Sequence, residues 1–398
     1  MAGFFPLFFK QYWCAGVDVS TSTFRLGLAN SIGSLAVIFL APVLGAISDQ
    51  AGAKKKFLFF FIVLGVLMST SLYYVAQGAW LMASLLYVAG IIGFSGGNVF
   101  YDALLVNVAS PARSDRVSAL GYALGYLGGG LLFALNVGMT IKPALFGLEN
   151  VSEAVRFSFV SVALWWAFFS LPVLLWVNEP RPPDKRGRRN IVSAGFRQLR
   201  QTFAEIRKLR VVLLFLAGYW LYIDGLDTII RMAVDYGLSL GFDASGLMLA
   251  LLITQFVGFP AALVFGRLGE RLGTKKAILL GLGIYLLVTV WAMSMDSINE
   301  FYLLAVAIGL VQGGVQSLSR SLYSRLIPVG KSAEFFGFYN MLGKFAAVLG
   351  PLLMGLISLL TDSPRLSLLA IILLFVSGAI LLYFVDEEEG TRLAREMN

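Results

Sequence analysis

Gly45-Ala-Ile-Ser-Asp-Gln-Ala-Gly-Ala-Lys-Lys55 closes one long apolar run, and Gly266-Arg-Leu-Gly-Glu-Arg-Leu-Gly-Thr-Lys-Lys276 closes another, 221 positions later. A glycine, an acid, a second glycine and paired lysines recur at one spacing. In the first copy they are Gly45, Asp49, Gly52 and Lys54; in the second, Gly266, Glu270, Gly273 and Lys275. Glycine permits a sharp backbone path, the acid can accept N–H bonds or pair with a cation, and the lysines suit anionic headgroups. One copy reads as a plain turn. Two at one spacing read as a duplicated unit, and such a turn can latch two helices in one conformation. Further matches recur at a shift of 218: Arg113-Ser114 with Lys331-Ser332, Gly125 with Gly343, Asn98 with Gln316 and Asp102 with Arg320. Two homologous halves, built as parallel repeats, are therefore expected.

Composition names the solvent of these halves. Of 398 residues, 58% are hydrophobic and 14% charged, where soluble domains carry about 25% charged residues. Mean hydropathy is +0.80. A bilayer core needs roughly 20 apolar residues per helix. Runs of that kind are Leu26–Ser48, Phe57–Ala76, Trp80–Ala109, Val117–Val137, Phe157–Val177, Val211–Tyr236, Ser245–Phe265, Ala277–Met295, Phe301–Tyr323, Phe335–Leu360 and Leu366–Val385. The chain is read as an all-α membrane protein of two six-helix halves. Residues 1–178 and 211–385 form the bundles, 179–210 a basic linker and 386–398 a tail. Met1–Trp13 is apolar but too short to span, and it lacks the basic flank and cleavage site of a signal peptide. Because Met232-Ala233 falls opposite Met1-Ala2 in the repeat, a partial first helix is expected, from a misplaced start codon or a truncation. A genuine eleven-span chain is the alternative.

The net charge of +8 would suit nucleic acid if it lay on one soluble face. It lies instead in short loops. One side carries Lys54, Lys55, Lys56, Arg113, Arg116, Arg267, Arg271, Lys275, Lys276, Arg325, Lys331, Arg392, Arg395 and the basic linker; the other carries Arg25, Lys142, Arg156 and Arg365. The positive-inside rule places the rich side, with both termini, in the cytoplasm. The linker then reads as a tether on the anionic inner leaflet, a regulatory partner site being the alternative. There is no histidine, and Cys14 is the single cysteine. This leaves no internal disulfide and no zinc or haem ligand set. Neither a Walker A loop nor a nucleophile elbow is found. No metal, no cofactor and no enzymatic chemistry are expected.

Charges inside spans are costly and point to function. Asn98 and Asp102 stand at i and i+4; Asp224, Asp227 and Arg231 at i, i+3 and i+7; Gln312, Gln316 and Arg320 at i, i+4 and i+8; Asn340 and Lys344 at i and i+4. Each set shares one helix face, and polar stripes on apolar spans face a water-filled cavity rather than lipid. Structural pairing is the alternative. Asp227 and Arg231 could neutralise each other within one helix, and Asp102 and Arg320 could pair across the cavity either as a gate or as inert packing. At the cytoplasmic turns, Asp49 is expected beside Lys331 or Glu334, and Glu270 beside Asp115 and Arg116. Gly121, Gly125 and Gly129, and Gly93 and Gly97, have the spacing of close helix packing. With no imidazole, proton coupling would need a carboxylate; Asp102 facing Arg320 offers one, and Asp224 and Asp227 beside Arg231 offer a second.

The paired turn resembles the signature of the major facilitator superfamily. Four runs narrow the resemblance: GYALGYLGGG (Gly121–Gly130), YIDGLDTIIRMAVDYG (Tyr222–Gly237), GLVQGGVQSLSRSLYSRLIP (Gly309–Pro328) and EFFGFYNMLGKFAAVLGP (Glu334–Pro351). Together they resemble the unknown major facilitator family, which includes the fungal autophagy-related vacuolar amino-acid effluxer and many bacterial permeases. The resemblance implies the major facilitator fold, a cavity lined by the first, fourth, seventh and tenth helices, and secondary transport by alternating access. It implies a small-molecule substrate, polar and with amino acids as a candidate class. A drug or metabolite exporter, a lipid flippase and a non-transporting scaffold are the alternatives. A monomer in the bacterial inner membrane, with lipid and no nucleic acid as partner, is expected.

Overall fold

The computed structural model describes residues 4–179, 197, 200–202, 210–361 and 363–397. Most of the basic linker, and with it the expected leaflet tether, lies outside the described residues. Among those described, no strand occurs, and 11 helices are long and apolar enough to cross a membrane. The first half holds α1 (Val19–Ala51), α2 (Lys54–Ser71), α3 (Trp80–Ala103), α4 (Ser114–Ile141) and α5 (Val151–Trp176). The second holds α6 (Arg210–Ser239), α7 (Ala244–Leu272), α8 (Thr274–Ala292), α9 (Ile298–Leu326), α10 (Ser332–Thr361) and α11 (Leu369–Tyr383).

Local chemistry sets the helix ends. The Asp18 carboxylate accepts from Thr21 N–H at the start of α1, Asn150 caps α5, and Ser297 with Glu300 forms a capping box on α9. Each supplies an acceptor to N–H groups that lack one within the helix. The second glycine of both repeated turns has positive φ, +56° at Gly52 and +93° at Gly273. Side chains with a Cβ are strained there.

Several helices, α1 and α9 among them, outrun the apolar runs that announce them. α1 has 33 residues, roughly 50 Å of helix against about 30 Å of hydrocarbon. Its last turns, with those of α3 and α9, therefore project at the end bearing Lys54–Lys56, Arg113, Arg116, Lys275, Lys276 and Lys331, here called the basic end. Around the waist, Phe39, Leu164, Leu287 and Leu360 are 64–74% exposed. Such an apolar surface is stable against lipid, not water.

The halves pack through repeat-related pairs. α1 lies against α10 and α4 against α7, with α3–α10 and α4–α9 contacts between them. Phe4–Trp13 is helical and fills a buried aromatic cluster at the end opposite the basic turns, not on the lysine- and arginine-rich side where the charge count places both termini. Phe5 stacks on Tyr87 at 3.8 Å, Trp13 stacks on Phe159, and Tyr12 C=O accepts from Gly78 N–H. The sequence reading left 386–398 as a tail. Instead, Asp386 caps α12 (Glu387–Glu396), which lies against α9 and α6.

Glycine packing is less regular than its spacing suggests. A Cβ on Gly93 would stand 2.6 Å from Gly65 N, so α2 and α3 do meet there; Gly97 has only ordinary contacts. Gly125 and Gly129 have nothing within 4 Å of such a Cβ, so the α4 stripe is not a tight helix contact in this conformation. Close approaches between halves occur instead at Gly45, Gly266, Gly313 and Gly337.

Candidate functional site

The polar contacts that cross from one half to the other gather at the basic end. The first group surrounds the first repeated turn. Gly45 has no side chain to hold α1 off the start of α10: a Cβ there would lie 2.9 Å from Glu334 Cα. The closeness brings the Asp49 carboxylate onto the first turn of α10, where it accepts from Ala333 N–H at 3.2 Å and Glu334 N–H at 2.8 Å. A carboxylate is favoured there by the unsatisfied amides and by the helix dipole. Lys54 Nζ lies 3.3 Å from Asp49 Oδ1 and donates to Ser332 Oγ at 2.7 Å. Ser332 Oγ in turn donates to Ala103 C=O. The Asp49 and Lys54 side chains are buried, and each charge answers the other while hydrogen bonds take up what remains, which is what makes a buried ion pair tolerable; Glu334 beside them is buried too, with Oε1 accepting no hydrogen bond. Lys331, half-buried, lies one turn away.

The second turn behaves differently. Gly266 and Gly269 approach Asp115, Arg116 and Ala119 of α4, yet Glu270 and Arg116 are exposed. The turn thus stands beside Asp115 and Arg116, and the acid it buries is Asp115, on the opposite half, rather than its own Glu270. Asp115 accepts from Thr274 Oγ1 at 2.6 Å and Ser321 Oγ at 2.5 Å, and Arg325 Nη1 is 3.5 Å away.

Between the two groups lies the ion pair of the repeat-matched positions. Arg320 Nη1 is 3.1 Å from Asp102 Oδ1. Asn340 Nδ2 donates to Asp102 Oδ2 at 3.1 Å. The guanidinium also donates to Ser118 Oγ and Ser118 C=O at 2.9 and 3.0 Å, and it lies over the Tyr122 ring at 4.7 Å. Both charges are buried. Asp102 and Arg320 stand in the last two turns of α3 and α9, at the basic end rather than at mid-depth.

The other stripe residues divide. Asp224 fastens α6 to α10 inside one half, accepting from Gly350 N–H at 2.9 Å and from Thr228 Oγ1 at 3.5 Å. Asn98 and Lys344 are half-buried, each one turn beyond the ion pair's own residues, and Asp227 is half-buried on α6. The side chain of Arg231 lies outside the described residues, so its pairing with Asp227 does too. Gln316 accepts from Tyr126 OH at 3.3 Å. Gln312 is buried, with Oε1 lacking a hydrogen-bond partner. It ends a cavity of about 130 Å³ that opens among α6–α11 towards the other end, walled by Ile229, Met232, Leu247, Ala250, Leu304 and Ile308.

Four tyrosines and a serine escaped the sequence reading. Tyr122 and Tyr126 share a face of α4 at i and i+4, beside Arg320 and Gln316. Tyr219 and Tyr339 stack at 4.0 Å. Ser118 holds Arg320 and donates to Ser317 C=O. Helical spacing of the tyrosines around Gly125 was the available signal.

Eleven candidate spans among the described residues, in two repeat-related halves closed against each other at one end, define a major facilitator transporter, not an enzyme. Solved structures share this fold. The proton:xylose symporter XylE bound to 6-bromo-6-deoxy-D-glucose aligns with TM-score 0.71 at 14% identity, over 97% of this chain and 93% of that one. The human organic anion transporter MFSD10 aligns with TM-score 0.64 at 18% identity, over 96% and 88%. The sequence is more specific. The family described as vacuole effluxer Atg22 like matches residues 12–111 and 106–395, and the chain belongs to this family. The uncharacterized MFS-type transporter YxiO of Bacillus subtilis is 39% identical over 99% of this chain and 92% of its own length. Autophagy-related protein 22 of Kluyveromyces lactis is 26% identical over 96% and 83%. For that of Yarrowia lipolytica the figures are 29%, 71% and 52%, so the chain spans about half of that relative.

Proposed function

We propose that this protein is a secondary active transporter of a small polar solute, working by alternating access, with amino acids the first class to test. The basic end faces the cytoplasm of a bacterial cell, as the positive-inside rule requires, and the conformation described above is closed on that side. The observation that carries the reading is the buried Asp102–Arg320–Asn340 network, whose members come from opposite halves. Rocking of the halves has to break it. A carboxylate that gains and loses a cation partner changes its proton affinity, so the same movement can couple transport to a proton gradient through Asp102. Asn98, Gln312, Gln316, Asp227 and Lys344 line the polar path beyond the gate, and the protein works as a monomer. The family description, vacuole effluxer Atg22 like, supports transport of a solute, and the clustered acidic and basic side chains of the site suit a zwitterion such as an amino acid. The apolar cavity ending at Gln312 favours a second reading, export of an amphiphilic metabolite.

The test is uptake of a panel of radiolabelled amino acids, sugars and amphiphilic amines into proteoliposomes, with and without a pH gradient. Saturable uptake of a polar member supports the reading. Uptake confined to amphiphiles supports export, and no flux of any member by counterflow overturns both.

A further inference from the structure

The two basic-end contacts are related by the repeat but do not obtain their cation in the same way. In the first, Asp49 is paired with Lys54 of its own turn. The repeat counterpart of Lys54 is Lys275, and it is turned away from the acid. Its Nζ donates to Val385 C=O at 2.8 Å and Tyr383 C=O at 3.2 Å, holding the end of α11. The cation that serves Asp115 is Arg325, from the last turn of α9. Arg325 also donates to Thr274 Oγ1, itself bonded to Asp115. Its other partner is Glu387, the first residue of α12, at 2.8 Å.

That α12 is seated, not merely nearby, follows from its packing. Gly390 and Ala394 face inward and are buried. A Cβ on Gly390 would lie 2.9 Å from Val211 and closer still to Leu326, so the helix rests on the ends of α6 and α9 with no room to spare. Lys275 fixes the chain just before it, at Val385. The charged residues Glu388, Arg392 and Arg395 point outward. One helix, anchored at three places on the second half, thus reaches through a single guanidinium to an acid on the first half.

We propose that α12 is an intramolecular strap and Arg325 a positioning residue of the gate: docked α12, through Glu387, holds Arg325 on Asp115 and favours the conformation closed at the basic end. This rests on the alternating-access reading above. Undocking α12 leaves Arg325 free to leave Asp115. Thr274 and Ser321 then hold a buried carboxylate that has lost its cation, which is less stable than the paired one. The second contact then opens more readily than the first, whose lysine is built into its own turn. A partner that captures the charged outer face of α12 would act as an opener.

The experiment uses the full chain in nanodiscs, with Cys14→Ser and a reporter Ser317→Cys. Ser317 is fully buried where the halves meet, so maleimide labelling of the reporter measures opening there. Two variants act on α12 by different means. Glu387→Ala removes the ion pair and leaves the helix seated; Gly390→Val lifts the helix and keeps every charge. Each is expected to raise the labelling rate about threefold, the size expected for one partly exposed ion pair. Glu387→Asp should recover part of the effect of Glu387→Ala, which loss of packing alone would not explain. Asp49→Asn serves as the opening control. If Asp49→Asn speeds labelling and neither α12 variant does, the strap is overturned and the alternating-access reading stands. If Asp49→Asn also leaves labelling unchanged, the reading itself fails.

Discussion

Replacing Gly337 with alanine puts a methyl group where the two halves touch backbone to backbone. Its Cβ would stand 2.7 Å from both Ala41 C=O oxygen and Pro42 Cα, and 2.9 Å from Ala41 C. Heavy atoms pack without repulsion at about 3.5–4.0 Å, so α10 and α1 must separate by roughly 1 Å. Neither neighbour is the flexible end of a side chain that could swing away. Overpacking of this kind costs about 1–3 kcal/mol. The cost falls on the conformation closed at the basic end, because opening parts these helices. The equilibrium should therefore move by about 5- to 150-fold towards the open form. Spin labels on exposed Arg116 and Glu270, in the Cys14→Ser background, report the separation of the halves by pulsed electron spin resonance. Gly337→Ala should populate a longer distance. Gly125→Ala, whose added Cβ meets nothing within 4 Å, should match the parent protein. If a folded Gly337→Ala protein keeps the parent distribution, the contact does not resist opening and the account of the gate is wrong.

Two further predictions concern buried acids. Asp49→Asn weakens both the cap on α10 and the pair with Lys54, so transport rate should fall while solute affinity stays similar; normal flux at normal expression would reduce the turn to a topology signal. Asp224→Ala leaves the Gly350 amide without its acceptor, a loss of about 1–3 kcal/mol. Asp224→Asn keeps an oxygen there and should lower Tm in thermal unfolding by less. Equal losses would mean that the charge, not the hydrogen bond, fastens α6 to α10.

How much of this was legible depends on what each residue had to signal. The repeated turn was legible because each glycine does one job twice. Gly45 and Gly266 let helices of opposite halves approach, and Gly52 and Gly273 adopt positive φ. The partnership of Asp102 with Arg320 could be read as an alternative because repeat-related positions face each other near the axis between halves. Its depth could not, since the ends of the apolar runs miss the ends of the helices: the run over α3 goes on past Ala103, and α9 goes on past Tyr323 to Leu326. Which acid the second contact buries is not legible, for a geometric reason. Glu270 and Asp115 lie close together, and which acid turns inward depends on helix rotation that spacing alone does not settle. Tyr122 and Tyr126 were passed over because tyrosine in an apolar span reads equally well as a membrane-interface anchor. The charge of residues 386–398 hides a helix. Yet Gly390, Leu393, Ala394 and Met397 follow the i, i+3, i+4, i+7 spacing of a seated helix.

The measurement that bears most directly on the gate as a coupling device compares wild type with Asp102→Asn in proteoliposomes, using the amino acids of the panel. Both are assayed for uptake driven by a pH gradient and for counterflow exchange, which needs no net proton movement. The predicted result is that wild type concentrates at least one amino acid when the gradient is present, and that Asp102→Asn loses this concentrative uptake but retains counterflow. An Asp102→Asn protein that still concentrates the same amino acid against its gradient at the wild-type level would contradict the account.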